Sequence, residues 1–216
     1  VQTIMANVAD KGKSITDVNK ALDELNEYAD LTIYNFTEMT RNIGTFTAAG
    51  VDLKTSATAI KGIANLAAGS GSSSLQASTA MYQLSQALAA GTLKLMDWNS
   101  VVNAGMGGEL FQKALEKTAK ELGHGRDMSV SFRDSLESGW ITSKVLITTL
   151  EKFANDKSLL EAATQVKTFT QLLDTMKESV QSGWAQTWEN IIGNKDQAAA
   201  FFTAVSNGFG SIMGPI

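Results

Sequence analysis

The chain has 216 residues, a net charge of −4, 44% hydrophobic residues and 19% charged residues. That is enough apolar material for a packed core, and far from the low-apolar, high-charge composition of chains that stay disordered. The lack of cysteine excludes disulfides, thiolate metal sites and cysteine nucleophiles, and with three arginines and no basic cluster the electrostatic footprint of a nucleic-acid binder is missing.

The chain opens on Val1 rather than Met and closes on Gly214-Pro215-Ile216 after an uncharged stretch, so it reads as a segment of a longer protein. No export signal is visible at its start. Pro215 is the only proline, so nothing before it forces a helix to break, and the glycines mark the expected helix ends.

Ser14 to Asp17 reads S-x-x-D, and Ile15, Val18, Leu22 and Leu25 follow at spacings of three and four, which predicts a first helix. A second is expected over 37–49, with Met39, Ile43 and Phe46 on one face and Gly50 at its end. A third is expected over 53–68, capped by Asp52 and ended by Gly69. Ser70 to Ser74 forms a connector whose last serines cap a fourth helix over 75–90, ended by Gly91.

Asp97 is expected to cap a short helix running through Ala104. Beyond Gly105, Gly107 and Gly108 the apolar positions resume at Leu110, Phe111, Ala114, Leu115 and Leu122, and Gly123 closes that helix. His124 to Asp127 reads as a loop, followed by a helical pair around 132–136 and 145–153. Leu159, Ala163, Val166, Phe169, Leu173, Met176 and Val180 form one apolar stripe, predicting a longer amphipathic helix over about 158–181. Met128 to Phe132 is the one alternating stretch and is too short to imply a sheet.

The predicted fold class is therefore all-α: a compact multi-helix domain of short, glycine-punctuated helices plus the longer amphipathic one. It reads as one helical domain over 1–216, with a subdivision into 1–123 and 131–216 as the alternative. No charge occurs from Gly62 to Leu93, but glycines, serines and glutamines interrupt that stretch, which fits a closely packed helix pair better than a membrane span. The uncharged tail Gln197 to Ile216 reads either as a terminal helix packed on the domain or as the lead into a hydrophobic segment.

Chemistry has few footholds. The single histidine, His124, sits in a glycine-flanked loop, neither a G-x-S-x-G elbow nor a Ser-x-x-Lys pair occurs, and neither glycine cluster, Gly69 to Gly71 or Gly105 to Gly108, follows a strand or continues into a phosphate-binding Gly-Lys-Ser/Thr run. Asp23, Glu24 and Glu27 lie opposite the apolar stripe of the first helix, as a solvated face does. No catalytic residue, cofactor or metal site is expected. Four tryptophans remain: Trp98, Trp140, Trp184 and Trp188. Two of them follow a repeated Ser-Gly, in Glu137-Ser138-Gly139-Trp140 and Gln181-Ser182-Gly183-Trp184. They are expected to be core anchors, each indole N–H needing a partner, or contact residues for another subunit.

Three stretches carry a family likeness: Gln86 to Leu115, Ser131 to Phe153 and Gln181 to Gly193, joined by Ile43 to Ala68. Their most specific parts are the Leu95-Met96-Asp97-Trp98 box and the Gly-Trp-x-x-x-Trp-x-x-Ile-Ile-Gly box at 183–193. Over 34–202 the chain resembles the N-terminal region of bacteriophage tail tape-measure proteins. The resemblance implies a virion protein of long-tailed phages or prophages that lies inside the tail tube, scaffolds tube assembly, sets tail length and leaves during DNA delivery. It implies contact with tail tube, tail tip or assembly chaperone proteins and with its own copies, and residence in the host cytoplasm during assembly. It supplies no active site, no cofactor and no sequence-specific nucleic acid. Membrane contact would come only through parent segments outside this chain.

Two other classes compete with this reading. One is a tail-associated cell-wall hydrolase using paired carboxylates. The other is a helical secreted effector or adhesin, suggested by the Ser-Gly-Trp junctions. The glycine breaks favour a compact head over a single rod, which at 1.5 Å per residue would reach roughly 320 Å.

Overall fold

Short polar side chains ahead of apolar runs set where the helices begin. The computed structural model describes residues 1–167. In it Ser14 and Asp17 form a reciprocal capping box at the start of α2 (Ile15–Leu31), each satisfying the other's backbone N–H. Asn35 accepts from the N–H groups of Thr37 and Glu38 and so starts α3 (Phe36–Ala48) one residue earlier than its apolar pattern suggests. Asp52 caps α4 (Leu53–Gly69), and Ser73 with Gln76 boxes α5 (Ser74–Ala90).

After a turn at Gly91 the chain reverses into α6 (Leu95–Asn103). α7 (Glu109–Glu121), the short α8 (Phe132–Ser135) and α9 (Ser143–Ala154) follow, with Thr142 capping α9. Asp156 caps α10, a helix over 157–167. A further helix that the pattern did not announce, α1 (Gln2–Val8), precedes them. Among the described residues no β-strand forms, and the architecture is all-α and compact. One isolated antiparallel bridge pairs Thr92 with Thr142.

Two local expectations change. Asp97 is not the cap of α6: it stands at the third helical position, and its carboxylate accepts the N–H of Lys94, the residue that occupies the cap. Gly69 does not end α4. It is the last helical residue, and the left-handed turn falls two residues on, at Gly71 with φ +70°. Gly69 is small for a different reason, since a Cβ there would meet the Leu159 side chain of α10 at 2.7 Å. Met128 to Phe132, too short for a sheet as its sequence suggests, forms a turn over 128–130 that leads into α8 at Phe132. The continuation of α10 towards 181, Trp184, Trp188 and the tail 197–216 lie outside the described residues.

Helix α4 is the centre of the domain. It is lined by α2, α3, α5 and α9, and α9 runs along it most closely. A helix surrounded in this way must be apolar or small nearly all round. Ala57, Ala59, Ile60, Ile63, Ala64 and Leu66 are all buried. Full burial of side chains such as Ile60 and Ile63 contributes about 1.5–3 kcal/mol each. The one buried amide in α4, Asn65, has both ends answered: it accepts from the Tyr28 hydroxyl at 2.7 Å and donates to the Phe153 carbonyl at 3.0 Å. That network ties α2 to α9 through the central helix, as a buried polar group requires.

Candidate functional site

Two of the four tryptophans singled out in the sequence, Trp98 and Trp140, meet at one ring. Trp98, on α6, stacks at a tilt on Phe132 of α8, with ring centroids 4.6 Å apart. Trp140 meets the same ring edge to face at 5.6 Å. Phe111 of α7 lies 5.7 Å from Trp98 and 5.8 Å from Phe153 of α9, so five rings form a continuous chain through four helices. Trp98 is 2% exposed and Trp140 4% exposed. Offset and edge-on pairs of this kind add about 0.5–1.5 kcal/mol each beyond their buried area.

The Ser-Gly-Trp junction explains how Trp140 arrives there. A 3₁₀ turn over Leu136–Ser138 ends at Gly139, whose φ of +70° reverses the chain and swings the indole inward. Its N–H donates to the Ser135 hydroxyl at 3.0 Å, and that hydroxyl donates in turn to the Phe132 carbonyl at 2.7 Å. The backbone after the tryptophan is pinned to the α5–α6 turn: the Leu93 N–H reaches the Ile141 carbonyl, and the Ser143 N–H reaches that of Gly91, both at 2.9 Å.

Arg126 closes the cluster from outside. Its Nε donates to Glu116 at 2.7 Å, its Nη1 donates to the carbonyls of Asp127 and Val130, and its guanidinium carbon lies 5.8 Å from the Phe132 ring centre. A planar fork suits this task better than a lysine ammonium, because it can hold a carboxylate, two carbonyls and a ring face together. The 124–130 loop is therefore tied down, while His124 itself points to solvent.

These residues can anchor and pack, and they offer little to a reaction. Among the described residues no Asp, Glu, Lys, Arg or His is buried, and no group of three or more His, Asp or Glu is placed to hold a metal. Asp23, Glu24 and Glu27 are exposed, with Lys61 4.0 Å from Glu24. Asp17, Glu121 and Asp127 are held below the usual carboxylate range by hydrogen bonds from Ser14, Lys152 and Ser129 respectively. A catalytic acid needs the opposite shift, from burial in a cleft. Burial pushes the hydroxyls of Tyr28 and Tyr34 far above the usual phenol range, which keeps both neutral.

A second feature escaped the sequence reading. Half of the uncharged stretch packs inward as expected, through α4 and the inner face of α5. The other half does not: Leu75, Thr79, Tyr82 and Gln86 form the outer face of α5 and are exposed. The spacing of four, three and four that puts them on one stripe was visible. With no charges to mark the solvent side, and alanines filling much of the inner face, the stripe gave no sign of pointing outward. Among the described residues no helix is long and apolar enough to cross a membrane.

A family model described as "Tape measure protein" matches residues 1–189 of the chain. No curated protein and no solved structure matches it.

Proposed function

The chain belongs to the tape measure protein family, whose members are structural proteins of phage tails, and we propose that it forms a compact head within such a protein. The observation that carries this reading is the family match over 1–189, taken together with the packing of residues 1–167. Among the described residues the longest complete helices have 17 residues, about 26 Å each. Of these, α2 and α5 pack against α4 instead of extending from it, so the measuring of length falls to other parts of the parent protein.

In this reading the head docks on tail tube, tail tip or assembly chaperone proteins while the tube polymerises. It is carried inside the tube and leaves with the parent when DNA is delivered. It catalyses nothing: the buried aromatic chain and the capped helices serve stability, and the exposed carboxylates serve solubility.

The test is a virus carrying in-frame changes in the parent gene. Deletions or duplications beyond residue 189 should change tail length by about 1.5 Å per residue of helix. Removal of the α4–α9 core should abolish tails. Tails of normal length in both cases would sink the proposal. Incubation of the purified chain with bacterial cell walls checks the absence of catalysis: reproducible peptidoglycan release, lost on substituting one of Asp23, Glu24 or Glu27, would replace the structural reading with a hydrolase.

A further inference from the structure

We propose that α10 is a detachable strap, which lifts off and melts as a unit while the body from α1 to α9 stays folded. A hinge lies where the strap begins. Asn155 and Asp156, between α9 and α10, are both exposed and bond only to near neighbours in the chain: the Asn155 amide donates to the Glu151 carbonyl, and the Asp156 carboxylate accepts the N–H groups of Ser158 and Leu159. When α10 moves, these groups keep their neighbours or turn to water, and no buried donor is orphaned.

The strap is lightly held. Among the described residues α10 buries Leu159, Ala162 and Ala163, whereas α9, of similar length, buries Val145, Leu146, Thr149, Leu150 and Phe153. Alanines bring little apolar area, so most of the docking rests on the Leu159 side chain. It enters a notch on α4 that exists because residue 69 is glycine: a Cβ there would stand 2.7 Å from Leu159 Cδ2 and 3.5 Å from Leu110 Cδ2. Further along, the Lys167 ammonium donates to the Asp30 carbonyl. That carbonyl lies in the last turn of α2, where helix carbonyls lack partners within the helix and a cation is favoured. A knob in a notch and an exposed latch belong to the low-stability end of a domain, well below the α4–α9 packing. Once free, the 11 described residues of α10 are too few for a stable helix in water.

Lifting changes where the chain leaves the body. With α10 docked, Lys167 sits at the end of α2; with it lifted, the body ends at the hinge. Residues 157–167 then add a reach of up to about 36 Å, at about 3.3 Å per extended residue. The strap is thus a store of slack between the body and the chain that follows. The inference does not depend on the tail assignment, and failure of one leaves the other standing.

The cysteine-free sequence lets single thiols report the opening. Ala163 of α10 and Ala59 of α4 are both fully buried. In the 216-residue chain the thiol of Ala163→Cys should be labelled at least about a hundredfold faster than that of Ala59→Cys, and at a rate nearly independent of low urea, because a local opening exposes little surface. The thiol of Ala59→Cys should wait for global unfolding and react at a rate that rises steeply with urea. Leu159→Ala and Gly69→Ala act from the two sides of the notch, and should speed labelling at 163 by at least about tenfold and by about fivefold. Lys167→Met should speed it about two- to fivefold. Ile43→Val, in the core of α3, should speed labelling at 59 about two- to tenfold and leave 163 unchanged, because it weakens the body in the docked and lifted states alike. Equal rates and equal urea dependence at the two thiols overturn the proposal. So does an Ile43→Val variant that speeds both alike, or labelling at 163 that neither Leu159→Ala nor Gly69→Ala changes.

Discussion

Gly62 of α4 lies directly against the backbone of Leu150 in α9. A Cβ on Gly62 would stand 2.8 Å from the Leu150 carbonyl carbon, nearer still to its oxygen, and 3.3 Å from the Ala154 nitrogen. The atoms in the way are backbone, so no side chain can rotate aside. Gly62→Ala should therefore force the two helices apart and lower stability by about 3 kcal/mol or more, at the upper end of overpacking costs. Gly125→Ala, where nothing lies within 4 Å, should change little. Equal urea midpoints for the two variants would contradict the close α4–α9 crossing.

The helix starts were legible where a side chain makes the cap. Asp52 and the Ser14–Asp17 box announce α4 and α2 because the acceptor and the apolar period sit in one short window. α1 escaped because it has no capping side chain and buries only Ile4 and Val8, too few positions to define a period. Asp97 was misplaced by three residues because a carboxylate favours both the cap and the third position of a helix. That Trp98 and Trp140 would share one ring, Phe132, was beyond a local reading. Trp98 and Phe132 are thirty-four residues apart, and only the return of the chain through the Thr92–Thr142 bridge brings the second indole in. The small size of Gly62 and Gly69 was equally unreadable, since each answers to a helix some ninety residues further on.

Removing a ring from the aromatic chain should cost more than removing the hydrogen bond that orients it. Trp98→Ala should destabilise the fold by about 3–5 kcal/mol. Ser135→Ala leaves the Trp140 N–H without its partner in a buried site, for about 1–3 kcal/mol. Trp140→Phe removes donor and partner demand together and should fall below Trp98→Ala. Chemical denaturation with tryptophan fluorescence orders the three, and a Trp98→Ala variant as stable as the parent chain would show that the cluster is not a core anchor.

Arg126 should behave as a clamp on the 124–130 loop. Arg126→Ala removes the Glu116 pair, the two carbonyl bonds and the contact with the Phe132 ring, and should cost about 1–3 kcal/mol. Arg126→Lys should recover less than half of that, because an ammonium cannot reach the carboxylate, the carbonyls and the ring at once. Hydrogen exchange should speed up across 127–131 in both variants while α4 stays protected. Unchanged exchange in that loop would remove the clamp.

Acid should weaken the fold through its caps. Asp17 sits below its ordinary value of 3.8 because the Ser14 N–H and then the Ser14 hydroxyl donate to it. Glu121 sits below 4.5 through the Lys152 ammonium of α9, and Asp127 below 3.8 through the Ser129 hydroxyl and N–H. Asp52 is also lowered: its partial burial works the other way, but the hydrogen bonds from Thr55 outweigh it. A carboxyl that titrates lower when folded binds fewer protons than the unfolded chain throughout the interval between its two values, so stability rises with pH there. The contribution is complete above the ordinary values of 3.8 and 4.5 and is lost as pH falls through them towards the lowered ones. Urea midpoints should accordingly be flat from neutral pH down to about 5 and then drop. Asp52→Asn and Glu121→Gln should each flatten the drop, the second more weakly in high salt because that pair is exposed and screened. Midpoints that rise on acidification below pH 5 would mean that these carboxylates are not held in their charged form by the fold.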